Sequence, residues 1–165
     1  MKKFIDQLEK VQGFLAVCTF VALTLVVFLQ VLTRWLNISL VWSEEIARFL
    51  FFWTVLMGAS ISVKNQRHFI LQVFDFTKIK NAAVRMIFEI FPNVCIFLFS
   101  ALMFYAGLHY FWEGRLRVAL NSQINFGFIF VAIPLAAFTM MIYSVFLIIQ
   151  ILQRKETKIK VEDGI

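Results

Sequence analysis

The sequence predicts an all-α integral membrane protein: four transmembrane helices, joined by amphipathic interfacial segments, with both termini in the cytoplasm. Three observations predict it. First, 61% of the 165 residues are apolar and only 16% are charged, whereas a soluble domain is about half apolar and a quarter charged. A chain this short has too little interior to hide that much apolar surface, so lipid must solvate much of it. Second, four segments are apolar over the ~20 residues that a spanning helix needs: 14–36, 42–63, 86–107 and 124–149. Third, the basic residues are divided unevenly between the two sets of connections.

That division sets the orientation. Lys2, Lys3 and Lys10 precede the first helix, Lys64, Arg67, Lys78, Lys80 and Arg85 lie between the second and third, and Arg154, Lys155, Lys158 and Lys160 follow the fourth. These regions share one side if there are four helices. The other side holds only Arg34, Arg48, Arg115 and Arg117. Positive residues are retained inside, so both ends face the cytoplasm. The connections carry nearly all the charge, and none is long enough for a soluble domain, so residues 1–165 read as one membrane domain.

The elements follow in order. Phe4, Ile5, Leu8 and Val11 repeat at helical spacing opposite Lys3, Asp6 and Lys10, as in a segment lying in the membrane interface. The first thirty residues resemble a signal peptide, but the apolar run 14–29 exceeds an h-region and no A-x-A site follows, so a retained first helix is expected. Residues 69–79 are too apolar for a free loop and form a second amphipathic connection. Tyr110, Phe111 and Trp112 before Arg115 and Arg117 make a third, which reads equally as an interfacial segment or as an ordinary aromatic belt. In the second helix Gly58, Ala59, Ser60 and Ser62, and in the fourth Ala132, Ala136 and Ala137, are small enough for close helix approach.

The stretch richest in chemistry is QVLTRWLNISLVWSEEIAR, residues 30–48. Gln30, Arg34 and Asn37 fall at i, i+4 and i+7, on one face near the outer end of the first helix. Ser43 stands at an expected N-cap, with Glu44 and Glu45 in a first turn whose dipole favours carboxylates. Arg48 is in reach of both. Helix capping explains the carboxylates; two arginines around a short turn near membrane depth point to an interface, because charge there is costly unless paired.

Other classes of function fit poorly. Glu44 and Glu45 diverge by about 100° on a helix, so they do not form an acid–base pair, and no enzyme is expected. His68 and His109 sit at opposite membrane faces, about 30 Å apart, too far to share a haem iron. Cys18 and Cys95 lie in separate apolar runs without CxxC spacing and read as small buried side chains. No cofactor or metal is expected. Basic residues in short inter-helix segments suit topology, not nucleic acid. Glu89, four residues after Arg85 and three before Pro92, reads as an ion pair beside a proline kink. The alternative makes it the coupling group of a free-standing, homo-oligomeric antiporter or channel. The chain also lacks the internal repeat and broken helices of a transporter core, and looks like part of a transporter.

The motif QVLTRW…WSEEIARFLFFW…GAS…H, with Gln30, Arg34, Trp42, Glu44, Glu45, Arg48, Gly58 and His68 in place, resembles the small membrane (Q) subunit of tripartite ATP-independent periplasmic (TRAP) transporters. The W-S-E-E-x-A-R block is the most specific part. The resemblance implies a non-catalytic subunit in a bacterial inner membrane. It would brace a large membrane (M) subunit that moves an organic acid inward with sodium ions, after capture by a periplasmic binding protein (P subunit). The acid would be sialic acid, a dicarboxylate or similar. On this view Gln30, Arg34, Trp42, Glu44, Glu45, Arg48 and Gly58 form the subunit interface, and His68 and Glu89 serve interfacial packing. The partners are the M subunit, the P subunit and the bilayer.

Overall fold

The computed structural model describes residues 2–38, 40–73 and 82–162, with side chains for 3–38, 40–65 and 88–153. The chain runs α1 (Lys2–Trp35), α2 (Val41–Val73), α3 (Ala82–Gly114), a single turn α4 (Gly127–Phe130) and α5 (Ala132–Glu162). No strand occurs among the described residues; Val118 and Asn125 make one isolated antiparallel bridge. Four helices are long and apolar enough to cross a membrane. α1 has 34 residues, and at about 1.5 Å per residue it rises well beyond the ~30 Å hydrocarbon layer. The amphipathic segment around Phe4 to Val11 is thus the first part of α1 itself, with Ile5 buried against the protein.

α1 packs on α2, α2 on α5, and α5 on α3. The helices therefore form a row in which α2 and α5 are central and α1 and α3 peripheral. α5 supplies most of the core. Ala132, Ala136, Tyr143 and Leu147 are buried at helical spacing, with Ala137, Met140 and Ile151 beside them. Its alanines make the close approach that their size predicts. Gly107 does the same from α3, since a Cβ there would stand 2.8 Å from Ile133 Cγ2 and 3.0 Å from the Pro134 backbone nitrogen. Gly58 does not: a Cβ there meets nothing within 4 Å, so among the described residues no helix crosses closely at that point. Cys18 and Cys95 are also exposed, not buried, because the helices that carry them are the peripheral ones.

Pro92 lies inside α3. Proline removes a backbone donor, and neighbouring polar groups gather at the break. Asn93 Nδ2 donates to the Glu89 carbonyl at 2.9 Å, and Ser144 of α5 donates to the Asn93 carbonyl at 2.5 Å. Ser144 thereby ties α5 to α3 one residue past the proline.

A buried polar network ties three helices together toward the end that holds both termini. Gln12 of α1 donates to Thr139 of α5 at 2.9 Å, while its carbonyl oxygen accepts from Tyr143 at 2.6 Å and from Ser60 of α2 at 3.3 Å. The Ser60 and Thr139 hydroxyls are 2.9 Å apart. Beside them Lys64 of α2, largely buried, bridges Asp6 at 2.7 Å and also pairs with Glu9. Polar groups buried away from water are costly unless paired, and here each side-chain donor has an acceptor on another helix.

Candidate functional site

The polar residues singled out in the sequence gather where α1 ends and α2 begins. α1 stops in a Schellman turn: Asn37 adopts a left-handed φ of 55°, its N–H donates to Arg34 O at 3.2 Å, and Ile38 N–H donates to Thr33 O at 2.9 Å. Asparagine tolerates that conformation better than most residues. This turn reverses the chain within five residues and brings the end of one spanning helix against the start of the next.

The turn encloses an open pocket of about 760 Å³, lined on the α1 side by Gln30, Thr33, Arg34 and Asn37 and on the α2 side by Ser43 and Glu44. Gln30, Arg34 and Asn37 share it as their spacing predicts, although Asn37 does so from the cap. Arg34 is exposed and makes no ion pair among the described residues. Glu44 bonds Arg48 at 3.3 Å, with both side chains largely exposed, at 74% and 67%.

Ser43 is not the N-cap. It is buried inside the first turn, where its hydroxyl donates back to the Leu40 carbonyl at 2.7 Å. α2 starts two residues earlier, at Val41, because the preceding turn is tight enough to deliver the chain already in helical conformation.

Glu45 has a separate task. Its carboxylate points away from Arg48 toward the connection between α3 and α4, where it accepts from the Ser122 N–H at 2.8 Å, Asn121 Nδ2 at 3.0 Å and the Asn121 N–H at 3.3 Å. This connection is folded on itself: Ala119 N–H donates to Ile124 O at 2.9 Å and Phe126 N–H to Arg117 O at 3.0 Å. Asn125 Nδ2 also donates to Arg115 O, and Asn125 Oδ1 accepts from Gly127 N–H. Adjacent glutamates thus face different elements, as their angular separation on a helix requires.

The remaining candidates are scattered. Trp42 is exposed at the start of α2. Gly58 lies on α2, far along the helix from the pocket. His68 belongs to α2 by its backbone, and its side chain lies outside the described residues, as do 74–81 of the second amphipathic connection. Glu89 is half-buried near the start of α3. His109 pairs with Glu113 one turn on at 3.2 Å, and Arg115 lies over the rings of Trp112, at 5.2 Å, and Phe111, at 5.8 Å. Among the described residues no group of three His, Cys, Asp or Glu side chains could hold a metal. Sequence reasoning missed Gln12, Thr139 and Tyr143. The signal available for them was polarity inside apolar runs, which in a membrane helix marks a face turned toward protein.

A row of four helices, each long and apolar enough to cross a bilayer, defines a polytopic membrane protein. The chain belongs to the DctQ component family of tripartite ATP-independent periplasmic transporters, whose model matches residues 23–154. It is similar to the sialic acid TRAP transporter permease protein SiaT of Haemophilus influenzae, 29% identical over 84% of this chain and 22% of that protein. It is 34% identical to the C4-dicarboxylate TRAP transporter small permease protein DctQ of Vibrio cholerae, over 66% of this chain and 45% of the relative. The sialic acid small permease protein SiaQ of the same organism is 36% identical over 46% of this chain and 42% of its own length. The aligned regions thus span less than half of each of these relatives.

Proposed function

We propose that this chain, as a single membrane domain, is the small permease subunit of a sodium-coupled importer of an organic acid. Sialic acid and C4-dicarboxylates, named in the relatives, are the leading substrates. It would reside in a bacterial inner membrane with both termini cytoplasmic, bracing a large membrane subunit that carries the substrate and sodium sites. A periplasmic binding protein would deliver the acid. Membership of the DctQ component family carries the reading. It is supported by the layout of polar groups, which hold helices together or sit at one open pocket instead of converging at mid-membrane on a transported ion.

The pocket supports an interface role for Gln30, Arg34 and Glu44, and the exposed Trp42 and Arg48 on the first turns of α2 would extend that interface. An exposed arginine with no ion-pair partner among the described residues, beside an exposed Glu44–Arg48 pair, offers charges of both signs at a helix end. Gly58, with open space over its Cα, suits close approach of a helix from the large subunit. Glu45 would contribute indirectly, through the connection that it holds.

Reconstitution tests the proposal. This chain alone in liposomes should give no uptake of sialic acid or C4-dicarboxylate under a sodium gradient, and adding the large subunit and the binding protein should restore it. Arg34→Ala with Glu44→Gln should lower co-purification of the large subunit while leaving the isolated chain folded. Sodium- or proton-driven uptake by this chain alone, lost in Glu89→Gln, would instead establish the free-standing antiporter.

A further inference from the structure

We propose that the folded connection 115–126 is a lipid anchor, laid into the bilayer surface at the end of the molecule opposite both termini and held at that level by Glu45. The argument starts on α3. Leu98, Leu102, Tyr105 and Trp112 are exposed along its outward face, at the three- and four-residue steps, or sums of them, that keep side chains on one helical face. The next place in that series is 116. Two tight turns, Leu116 N–H to Glu113 O at 3.2 Å and Arg117 N–H to Gly114 O at 3.1 Å, continue the helical path that far.

Beyond this point the chain extends into the bridge between Val118 and Asn125. Leu116, Val118 and Leu120 are 89%, 49% and 88% exposed, and Arg115 and Arg117 beside and between them are exposed too, whereas Ala119 is turned inward at 2%. Three aliphatic side chains thus carry the lipid-facing stripe of α3 past the end of the helix as one continuous apolar ridge.

Two further observations select a lipid surface over a soluble protein as the occupant. The ridge is flanked by what a headgroup layer favours: exposed Tyr110 and Trp112, the Arg115 guanidinium stacked on Trp112, and exposed Arg117. Amphipathic rings and cations of this kind gather at the level of lipid phosphates. The tip is also prevented from rising. Asn121 and Ser122 are bonded to Glu45 in the first turns of α2, which is where that helix meets the membrane. Glu45 is accordingly a positioning residue for the anchor. The inference rests on the four-helix membrane reading and is independent of substrate or partner.

The test uses the full chain with Cys18→Ala and Cys95→Ala, carrying Leu116→Cys or Leu120→Cys labelled with a polarity-sensitive fluorophore. Both sites are exposed, so neither substitution disturbs the core. In vesicles of phosphatidylcholine and phosphatidylglycerol, both labels should emit blue-shifted, be quenched by a nitroxide lipid labelled near its headgroup, and resist aqueous iodide. Adding Glu45→Gln should red-shift the label at 120 and open it to iodide, with helix content by circular dichroism unchanged. Iodide quenching of both labels without nitroxide quenching would overturn the anchor in favour of a docking ridge for a soluble protein. Protection from both quenchers would overturn it in favour of a contact between copies of this chain. An unchanged label at 120 in Glu45→Gln would remove Glu45 from the proposal.

Discussion

At the scale of single residues, two adjacent carboxylates and one buried amide differ in consequence. Glu44 and Arg48 form an exposed i,i+4 pair, worth only about 0.3–0.5 kcal/mol to the folded chain. Glu44→Gln should therefore leave thermal stability in detergent almost unchanged. Glu45 accepts several hydrogen bonds from one loop tip, so Glu45→Gln should selectively speed hydrogen exchange at the Asn121 and Ser122 amides. Equal exchange in the two variants would show that the clasp does not hold the loop. Gln12 is the hub of a buried network. Replacing it with leucine leaves the buried Tyr143 hydroxyl without its acceptor, at about 1–3 kcal/mol for a buried group left unpaired, and leaves Ser60 only Thr139. A clear fall in melting temperature should follow, and a neutral Gln12→Leu would mean that the network adds nothing to packing.

At the scale of elements, each glycine reports on whether a neighbour is present. Gly107 sits against the start of α5, where an added methyl group would collide with Ile133 and the Pro134 backbone. Gly107→Ala should cost about 1–3 kcal/mol, as overpacking generally does, and loosen α3 from α5. Gly58 faces open space. Gly58→Ala should leave the isolated chain as stable as before, so any loss of co-purification in that variant would come from a helix of another subunit. If Gly58→Ala destabilises the isolated chain, or Gly107→Ala does not, the packing described for α2 and α3 is incorrect.

For the whole molecule, the row of helices leaves both peripheral members with broad apolar surfaces. None of the most apolar window of α1 is buried inside the protein, against 44% for the last span. Orientation is checked by single cysteines in a background free of Cys18 and Cys95. Lys158→Cys should react only from the cytoplasmic side and Gln123→Cys only from the periplasmic side. Labelling of both positions from one side would break the four-helix topology.

Read by itself, the sequence determined that the chain is helical, that it lives in lipid and that four segments span it. It also placed Gln30, Arg34 and Asn37 together on one face of the first helix. These properties follow from composition and from spacings of three, four and seven residues, which local geometry converts directly into faces and lengths. It could not decide which helix is central, because hydropathy in a membrane measures affinity for lipid. The helix with the most apolar stretch, α1, ends at the edge, whereas α5, with Ala132, Ala136, Thr139 and Ser144, is drawn inside. Nor could it separate Glu45 from Glu44, or join Gln12 to Thr139 and Tyr143. Those pairings link residues 76 to 131 positions apart, and only the tertiary packing of helices determines which polar side chain finds which partner.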